Sequence, residues 1–286
     1  MGQGQSDQGP QIASSLAELR AAVRIFRDAG DTLALVPTMG ALHAGHIALV
    51  RQAQTLASRV AVSIFVNPTQ FAPNEDFSRY PRTFDDDVEK LRQVGADLVY
   101  APSPSDMYPA GFCTQITLGG PALGLETDFR PHFFSGVAIV VAKLLTQSGA
   151  DVAVFGEKDY QQLRVVTQMA RDLDLPVQIV PGATVREADG LALSSRNRYL
   201  SIEERATAPV IYRALSAAAE AIKDGTPAST AAQSAADAIA NAGLRVDYVT
   251  ARNAHSLAEP TAAGEPIRLL AAAWLGSTRL IDNIGV

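Results

Sequence analysis

Two histidines three residues apart stand in Pro37-Thr38-Met39-Gly40-Ala41-Leu42-His43-Ala44-Gly45-His46, and the whole chain has only four. That spacing is close to one helical turn, so both imidazoles can face the same way and donate to phosphate oxygens. Residues 33–37 before them are continuously apolar, like a strand covered on both faces, and a helix is predicted after them over about 45–57. A helix N-terminus offers free N–H groups and the positive end of its dipole, which suits an anion. Gly40 and Gly45 permit close approach of backbone to a ligand. Two other uses of such a pair are surface caps and ligands to a metal. No Gly-Lys-Ser/Thr closes the loop, so it is not a P-loop, and no Gly-x-Gly-x-x-Gly occurs to hold a dinucleotide. Donors placed here suit the charge that builds on an α-phosphate and a departing pyrophosphate in adenylyl transfer.

Three further segments carry polar groups of matching chemistry. Phe155-Gly156-Glu157-Lys158-Asp159-Tyr160-Gln161-Gln162 again follows an apolar strand and opens a helix. Its Lys158 can neutralise phosphate and its Asp159 can accept from ribose hydroxyls; the alternative is a set of helix-start charges serving the dipole. Ser194-Ser195-Arg196-Asn197 brings two hydroxyls and a guanidinium to a loop, either as an anion clamp or as turn chemistry. Asn67-Pro68-Thr69-Gln70-Phe71 places two carboxamides and an aromatic after the strand ending at Val66, which suits a polar, uncharged acceptor site.

The elements that must position these groups alternate. Ser15 and Glu18 read as a capping box, and Leu16, Leu19, Val23 and Phe26 recur at helical spacing up to Gly30. Strands are expected at 33–37, 60–66, 97–100, 152–155 and 177–180, with helices at 83–93, 137–147 and 160–173 between them. Strand and helix in turn mean parallel pairing, hence an α/β doubly wound, Rossmann-like sheet whose ligands sit beyond the carboxyl ends of its strands. After about residue 184 come two Ala-rich helices, 202–223 and 229–241, then strands at 245–250, 267–274 and 278–284. That order suggests a smaller C-terminal α+β domain. The division is therefore a disordered tail over 1–11, a Rossmann-like domain over 12–184 and a second domain over 185–286.

Composition narrows the class. A hydrophobic fraction of 47% supports a sizeable core in 286 residues, and a net charge of −6 argues against nucleic acid or an anionic membrane as partner. The lone Cys113 excludes an intramolecular disulfide. The Gln/Gly-rich start is no signal peptide and no stretch is apolar enough to span a bilayer, so a cytoplasmic protein is expected.

In this order the four motifs resemble the pantoate–β-alanine ligase (pantothenate synthetase) family of the His-x-x-His nucleotidylyltransferase superfamily. The likeness runs from about residue 12 to the C-terminus and includes Tyr80-Pro81-Arg82-Thr83, Met107-Tyr108-Pro109 and Thr278-Arg279-Leu280-Ile281-Asp282-Asn283. The resemblance implies ATP-dependent ligation of pantoate and β-alanine through a pantoyl-adenylate, with release of AMP and pyrophosphate. It implies an ATP site of Met39, Gly40, Ala41, Leu42, His43, Ala44, Gly45 and His46, with His46 as proton donor. Gly156, Glu157, Lys158, Asp159, Val185, Leu193, Ser194, Ser195 and Arg196 complete that site. His43, His46, Lys158, Ser194, Ser195 and Arg196 form the catalytic set. Gln70, Gln162 and Asn67 are the expected substrate contacts. Mg²⁺, a homodimer and a C-terminal lid over the nucleotide are also implied.

The chain departs from the family pattern in places. Phe133 occupies the usual His position of Arg-Pro-x-His-Phe, Leu193 replaces a common Met, and Lys90 replaces the polar partner of an acidic pair, Asp86 and Asp87, sometimes assigned to Mg²⁺. Asp85, Asp86 and Asp87 are read instead as solvated acids at a helix start. The rival enzyme is another nucleotidylyltransferase of the same superfamily, which calls for a basic acceptor pocket. A nucleotide sensor without turnover would not need both Lys158 and His46.

Overall fold

The computed structural model describes residues 9–71, 76–262 and 264–286. In chain order these form β1 (Gln11–Ala13), α1 (Leu16–Asp28), β2 (Leu33–Thr38), α2 (Ala44–Gln54), β3 (Arg59–Ile64), α3 (Phe84–Val94), β4 (Leu98–Tyr100) and α4 (Pro104–Met107). There follow α5 (Glu126–Phe129), α6 (Phe133–Ser148), β5 (Val152–Gly156), α7 (Tyr160–Asp172), β6 (Gln178–Gly182), α8 (Ile202–Thr207), α9 (Val210–Lys223) and α10 (Ala228–Asn241). The chain closes with β7 (Arg245–Asn253), β8 (Ile267–Leu275) and β9 (Thr278–Gly285). Two compact units result, the first made of the chain through Thr117 with Ser135–Phe155 and Met169–Gly182. The second gathers Leu118–Phe134, Gly156–Gln168 and Ala183–Val286.

The first unit is built on a six-stranded sheet ordered β1-β4-β3-β2-β5-β6, the doubly wound parallel arrangement expected from the strand–helix alternation. The direction of winding reverses between β2 and β5, which pair through Ala34 with Val152 and Leu35 with Ala153. Ala34, Val36, Val60, Val62, Val99 and Val154 belong to one core cluster with Leu42, Val50 and Leu91 from the loop and helices outside the sheet. Strands covered on both faces must be apolar throughout, which is why they read as unbroken hydrophobic runs.

In the second unit β7, β8 and β9 form an antiparallel sheet packed on α9 and α10. The alanines of those helices let them approach the sheet closely: Ala214, Ala218, Ala231 and Ala235 all join its core. A bulge between Val246 and Tyr248 re-aims Asp247, whose Oδ2 accepts from Trp274 Nε1 at 3.0 Å and Arg279 Nε at 2.8 Å. Arg279 also grips both oxygens of Glu126, at 2.8 and 2.7 Å, and the Tyr248 hydroxyl donates to Glu126 Oε1 at 2.8 Å. Burial, then the Glu126 charge, pushes that hydroxyl well above the usual tyrosine range, so it stays a donor.

Some elements differ from those the pattern predicts. The predicted tail ends at residue 11; residues 1–8 lie outside the described residues, while Gln11 is already in β1, its N–H bonded to Asp97 O at 3.0 Å. The predicted helix over 202–223 is broken into α8 and α9 at Ala208-Pro209, because proline has no N–H for the helical ladder. β7 extends to Asn253, beyond the apolar part of its sequence, because β8 pairs it along its length.

At the amino end of β3, Arg59 bonds Asp31 Oδ2 at 2.7 Å and Asp97 Oδ1 at 2.9 Å. The hydrogen bond from Arg59 holds the Asp31 carboxyl below its ordinary value of 3.8. A carboxyl whose folded value is depressed adds stability above its unfolded value and loses it as pH falls through the folded one. Asp31→Asn is therefore expected to lower the melting temperature at neutral pH, with the gap to wild type shrinking on acidification below 3.8; thermal melts across that range check it.

Candidate active site

In the first unit, β2 delivers the chain into a tight turn. Gly40 has φ +79°, and Ala41 follows at φ +52°, a left-handed conformation costing about 1 kcal/mol for a residue with a Cβ. Asp87 holds it there. Its Oδ2 accepts from Ala41 N at 2.8 Å and its Oδ1 from Leu42 N at 2.7 Å, with Thr83 Oγ1 at 3.1 Å from Oδ2. Lys90 adds an ammonium 3.7 Å from Asp87 Oδ1 and donates to Leu42 O at 2.9 Å. Asp85 and Asp86 are exposed, as read from the sequence, but Asp87 is fully buried. The reading of Asp87 as a solvated helix-start acid is corrected: one turn of α3 carries it under the loop.

The turn ends at His43, which caps α2. His43 Nδ1 accepts from Gly45 N at 3.2 Å, and His46 Nδ1 accepts from His43 N at 3.3 Å, a reciprocal capping box made of imidazoles. Each neutral ring therefore carries its proton on Nε2. The rings lie 4.1 Å apart between centroids, inclined by 38°. Capping and phosphate donation, alternatives in the sequence, use different nitrogens of the same rings and are compatible. Met39 and Gly45 are half-buried, Ala44 is exposed, and Leu42 is buried in the sheet core.

After β3, Asn67 turns inward. Its Nδ2 donates to Gln70 Oε1 and to Gly136 O, both at 3.1 Å, while its Oδ1 accepts from Thr69 Oγ1 at 2.9 Å and the Tyr108 hydroxyl at 2.7 Å. Asn67 is 1% exposed, and its carboxamide is bonded within the protein, with one of these bonds orienting Gln70. Gln70 lies against Met39 and is buried. Gly136 of α6 is required beside this turn, because a Cβ there would overlap the Thr69 backbone. Burial raises the Tyr108 hydroxyl above its ordinary value, against the opposing hydrogen bonds of Thr69 and Asn67, so it remains protonated.

The second unit holds the remaining site residues. Gly156 leads into a 3-10 turn, Glu157–Asp159, in which the Lys158 ammonium has Asp159 at 3.9 Å. Of two adjacent glutamines, Gln161 is buried and structural, bonding Pro121 O at 3.0 Å, Gly124 O at 3.1 Å and Glu126 N at 3.0 Å. Gln162 is half-buried, and its carboxamide makes no hydrogen bond to the described residues. Val185 and Leu193 face each other across a hairpin, with Leu193 N bonded to Val185 O at 3.0 Å. Ser194 then caps the 3-10 segment Ser195–Tyr199 through its bond from Arg196 N at 3.3 Å. Phe133, at the usual His position, lies under the Arg130 guanidinium at 3.9 Å from its ring centre, a cation–π stack.

The first unit thus presents a strand–turn–helix with paired imidazoles and a buried acid, Asp87, beneath the turn. The family described as pantoate-beta-alanine ligase matches residues 11–285. The chain belongs to that family. The pantothenate synthetase of Bradyrhizobium sp. (strain BTAi1) is 57% identical over 279 residues, spanning 97% of this chain and 99% of that protein. The one from Caulobacter vibrioides is 55% identical over 281 residues, with the same coverage. Among solved structures, pantothenate synthetase from Thermus thermophilus has a TM-score of 0.89 at 45% identity, covering 96% of this chain and 98% of that one. The pantoate-beta-alanine ligase from Francisella tularensis, complexed with beta-gamma ATP and beta-alanine, has a TM-score of 0.80 at 32% identity over 96% and 97%. The chain is thus a ligase that forms pantothenate from pantoate and β-alanine.

Within this pantoate-beta-alanine ligase the Asp86, Asp87 and Lys90 positions do not fit a protein-held Mg²⁺. Both Asp87 oxygens point at N–H donors, and an ammonium stands beside them. The described residues contain no cluster of three or more His, Cys, Asp or Glu able to hold a metal ion. Asp87, Tyr108 and Gly136 were not legible as site supports, since each acts on residues far away in sequence; Met107-Tyr108-Pro109 was the one signal, and it carried no role.

Asp87→Asn puts an NH₂ where one of the two backbone N–H groups now finds an acceptor. It is expected to cost about 1–3 kcal/mol of stability, the penalty for a buried donor without a partner. Urea unfolding measures that, and a kcat that falls at saturating substrate tests whether the loop geometry matters to turnover.

Proposed function

We propose that this ligase works by adenylyl transfer from ATP. Pantoate's carboxylate attacks the α-phosphorus, pyrophosphate leaves, and the amine of β-alanine then displaces AMP from the mixed anhydride. A free carboxylate has no good leaving group, so the anhydride is what makes amide formation possible. The observation that carries this reading is the pair of backbone N–H groups at the start of α2 that the Nδ1 atoms of His43 and His46 accept, which leaves Nε2 as the donor of each neutral ring. Donors at a helix N-terminus suit the charge that builds on the phosphates. The beta-gamma ATP and beta-alanine in the Francisella tularensis relative support the same substrates here.

In this reading Met39–His46 bind ATP, with His46 as proton donor. Gly156, Glu157, Lys158 and Asp159, with Val185 and Leu193–Arg196, complete the nucleotide contacts. Gln70 and Gln162 hold pantoate, and Gln70 also β-alanine. Mg²⁺ arrives with the triphosphate and leaves with pyrophosphate, as part of the substrate. Residues 12–184 form the ATP and pantoate domain and 185–286 the lid, in a cytoplasmic homodimer. Among the described residues no helix is long and apolar enough to cross a membrane.

Isotope exchange between pyrophosphate and ATP, with pantoate present and β-alanine absent, isolates the first half of the reaction. Wild type is expected to exchange, and Lys158→Ala to exchange slower by on the order of a hundredfold or more, as for other donors to transition-state charge. Exchange that ignores pantoate, or a Lys158→Ala variant at the wild-type rate, overturns the reading.

A further inference from the structure

The terminal segment Thr278-Arg279-Leu280-Ile281-Asp282-Asn283 has a recognisable pattern but no part in the chemistry above. The structure gives it one. On β9 alternate side chains face opposite ways, and Leu280 and Ile284 pack into the core with α9 and α10. Asp282 shares their face and Asn283 takes the other.

Asn283 is 3% exposed, and every polar atom of its carboxamide is used. Nδ2 donates to two successive carbonyls, Glu157 O and Lys158 O, each at 2.9 Å. Oδ1 accepts from Arg268 Nε at 2.7 Å. Arg268 in turn lies 4.1 Å over the Tyr160 ring, with its Nη2 3.6 Å from Glu157 Oε2. The backbone on both sides of the Lys158 Cα is thus tied to one strand.

Asp282 does the same for a second segment. Its carboxylate takes a two-point grip from Arg186, at 2.6 and 2.9 Å, and Arg186 also donates to Gly190 O at 3.0 Å while stacking on Tyr212. Asn283 N donates to Asp282 Oδ1 at 2.7 Å, coupling the neighbours. Gly190 has φ +94° and no room for a Cβ against the Tyr212 ring, so the hairpin between Val185 and Leu193 is seated there without slack.

We infer that Asp282 and Asn283 are positioning residues, which hold the Lys158 turn and the Val185–Leu193 hairpin to a common strand and so set the spacing of two nucleotide-contacting segments. Only a carboxamide supplies two donors and an acceptor at once. A carboxylate in its place keeps the shape but turns acceptors toward two carbonyls. The inference rests on the assignment of Lys158 to ATP made above.

The test uses the full-length enzyme with Asn283→Asp, Lys158→Ala and the double variant. Asn283→Asp is expected to raise the KM for ATP and slow pyrophosphate–ATP exchange on the order of ten- to a hundredfold, the cost of a misplaced reacting group. The KM for β-alanine, measured with pantoyl-adenylate supplied, should stay at the wild-type value. In the Lys158→Ala background the same substitution should do nothing further, because its effect passes through Lys158. Mere loss of folded enzyme would lower every rate together and leave the ATP KM alone. An unchanged ATP KM, or a loss that persists in full without the Lys158 side chain, overturns the inference. Should Asn283→Asp not fold by circular dichroism, Asn283→Ser, which keeps one short donor, takes its place under the same criteria. If Lys158→Ala alone leaves exchange unaltered, the nucleotide assignment itself falls; if only the Asn283 result fails, that assignment stands.

Discussion

Two backbone N–H groups, those of Ala41 and Leu42, have no strand or helix to bond with, and the Asp87 carboxylate is what satisfies them. Everything at the carboxyl end of β2 follows from that. A left-handed residue with a side chain stands at Ala41 because a buried charge accepts from its N–H. The reversal it makes brings His43 to the helix start with β-region dihedrals, the geometry a cap requires. A buried carboxylate alone is unfavourable, but two short N–H bonds, a hydroxyl and the Lys90 ammonium compensate its desolvation. The acid can therefore act as a structural anion with no metal beside it.

The same economy of polar atoms recurs in each unit. Asn67 spends its carboxamide on Gln70, Gly136, Thr69 and Tyr108, and Gln161 uses its own to hold the Pro121–Glu126 segment. Asn67 and Gln161 are buried with their carboxamides fully bonded, while Gln162 is half-buried.

The second unit shows how a chain brings distant segments into one body. Arg279 takes Glu126, Asp282 takes Arg186, and Asn283 takes the Glu157 and Lys158 carbonyls, all from a single strand. The carboxylates of the charged pairs among them, Glu126 and Asp282, are buried, so each depends on its arginine remaining in place. Segments at 118–134 and 156–168 consequently group with the C-terminal sheet, although the order of elements along the chain suggests a simple cut near residue 184.

The sequence by itself determined the element types, the parallel doubly wound sheet and the motifs that carry the chemistry. Those rest on local physics: apolar runs for covered strands, helical periodicity, capping residues, and glycine at turns with positive φ. It also carried the family, because the order of motifs along the chain survives in the sequence. Tertiary structure alone decided that Asp87 is buried while Asp86 is not, that the Asn67 carboxamide is bonded to Gln70, Gly136, Thr69 and Tyr108, and that Gly136 exists to let the Thr69 backbone come close. It alone decided which chain segments share a unit. Burial and hydrogen-bond partnership are relations between residues far apart in the chain, and no local pattern encodes whether a polar side chain will be met by a distant backbone or by water.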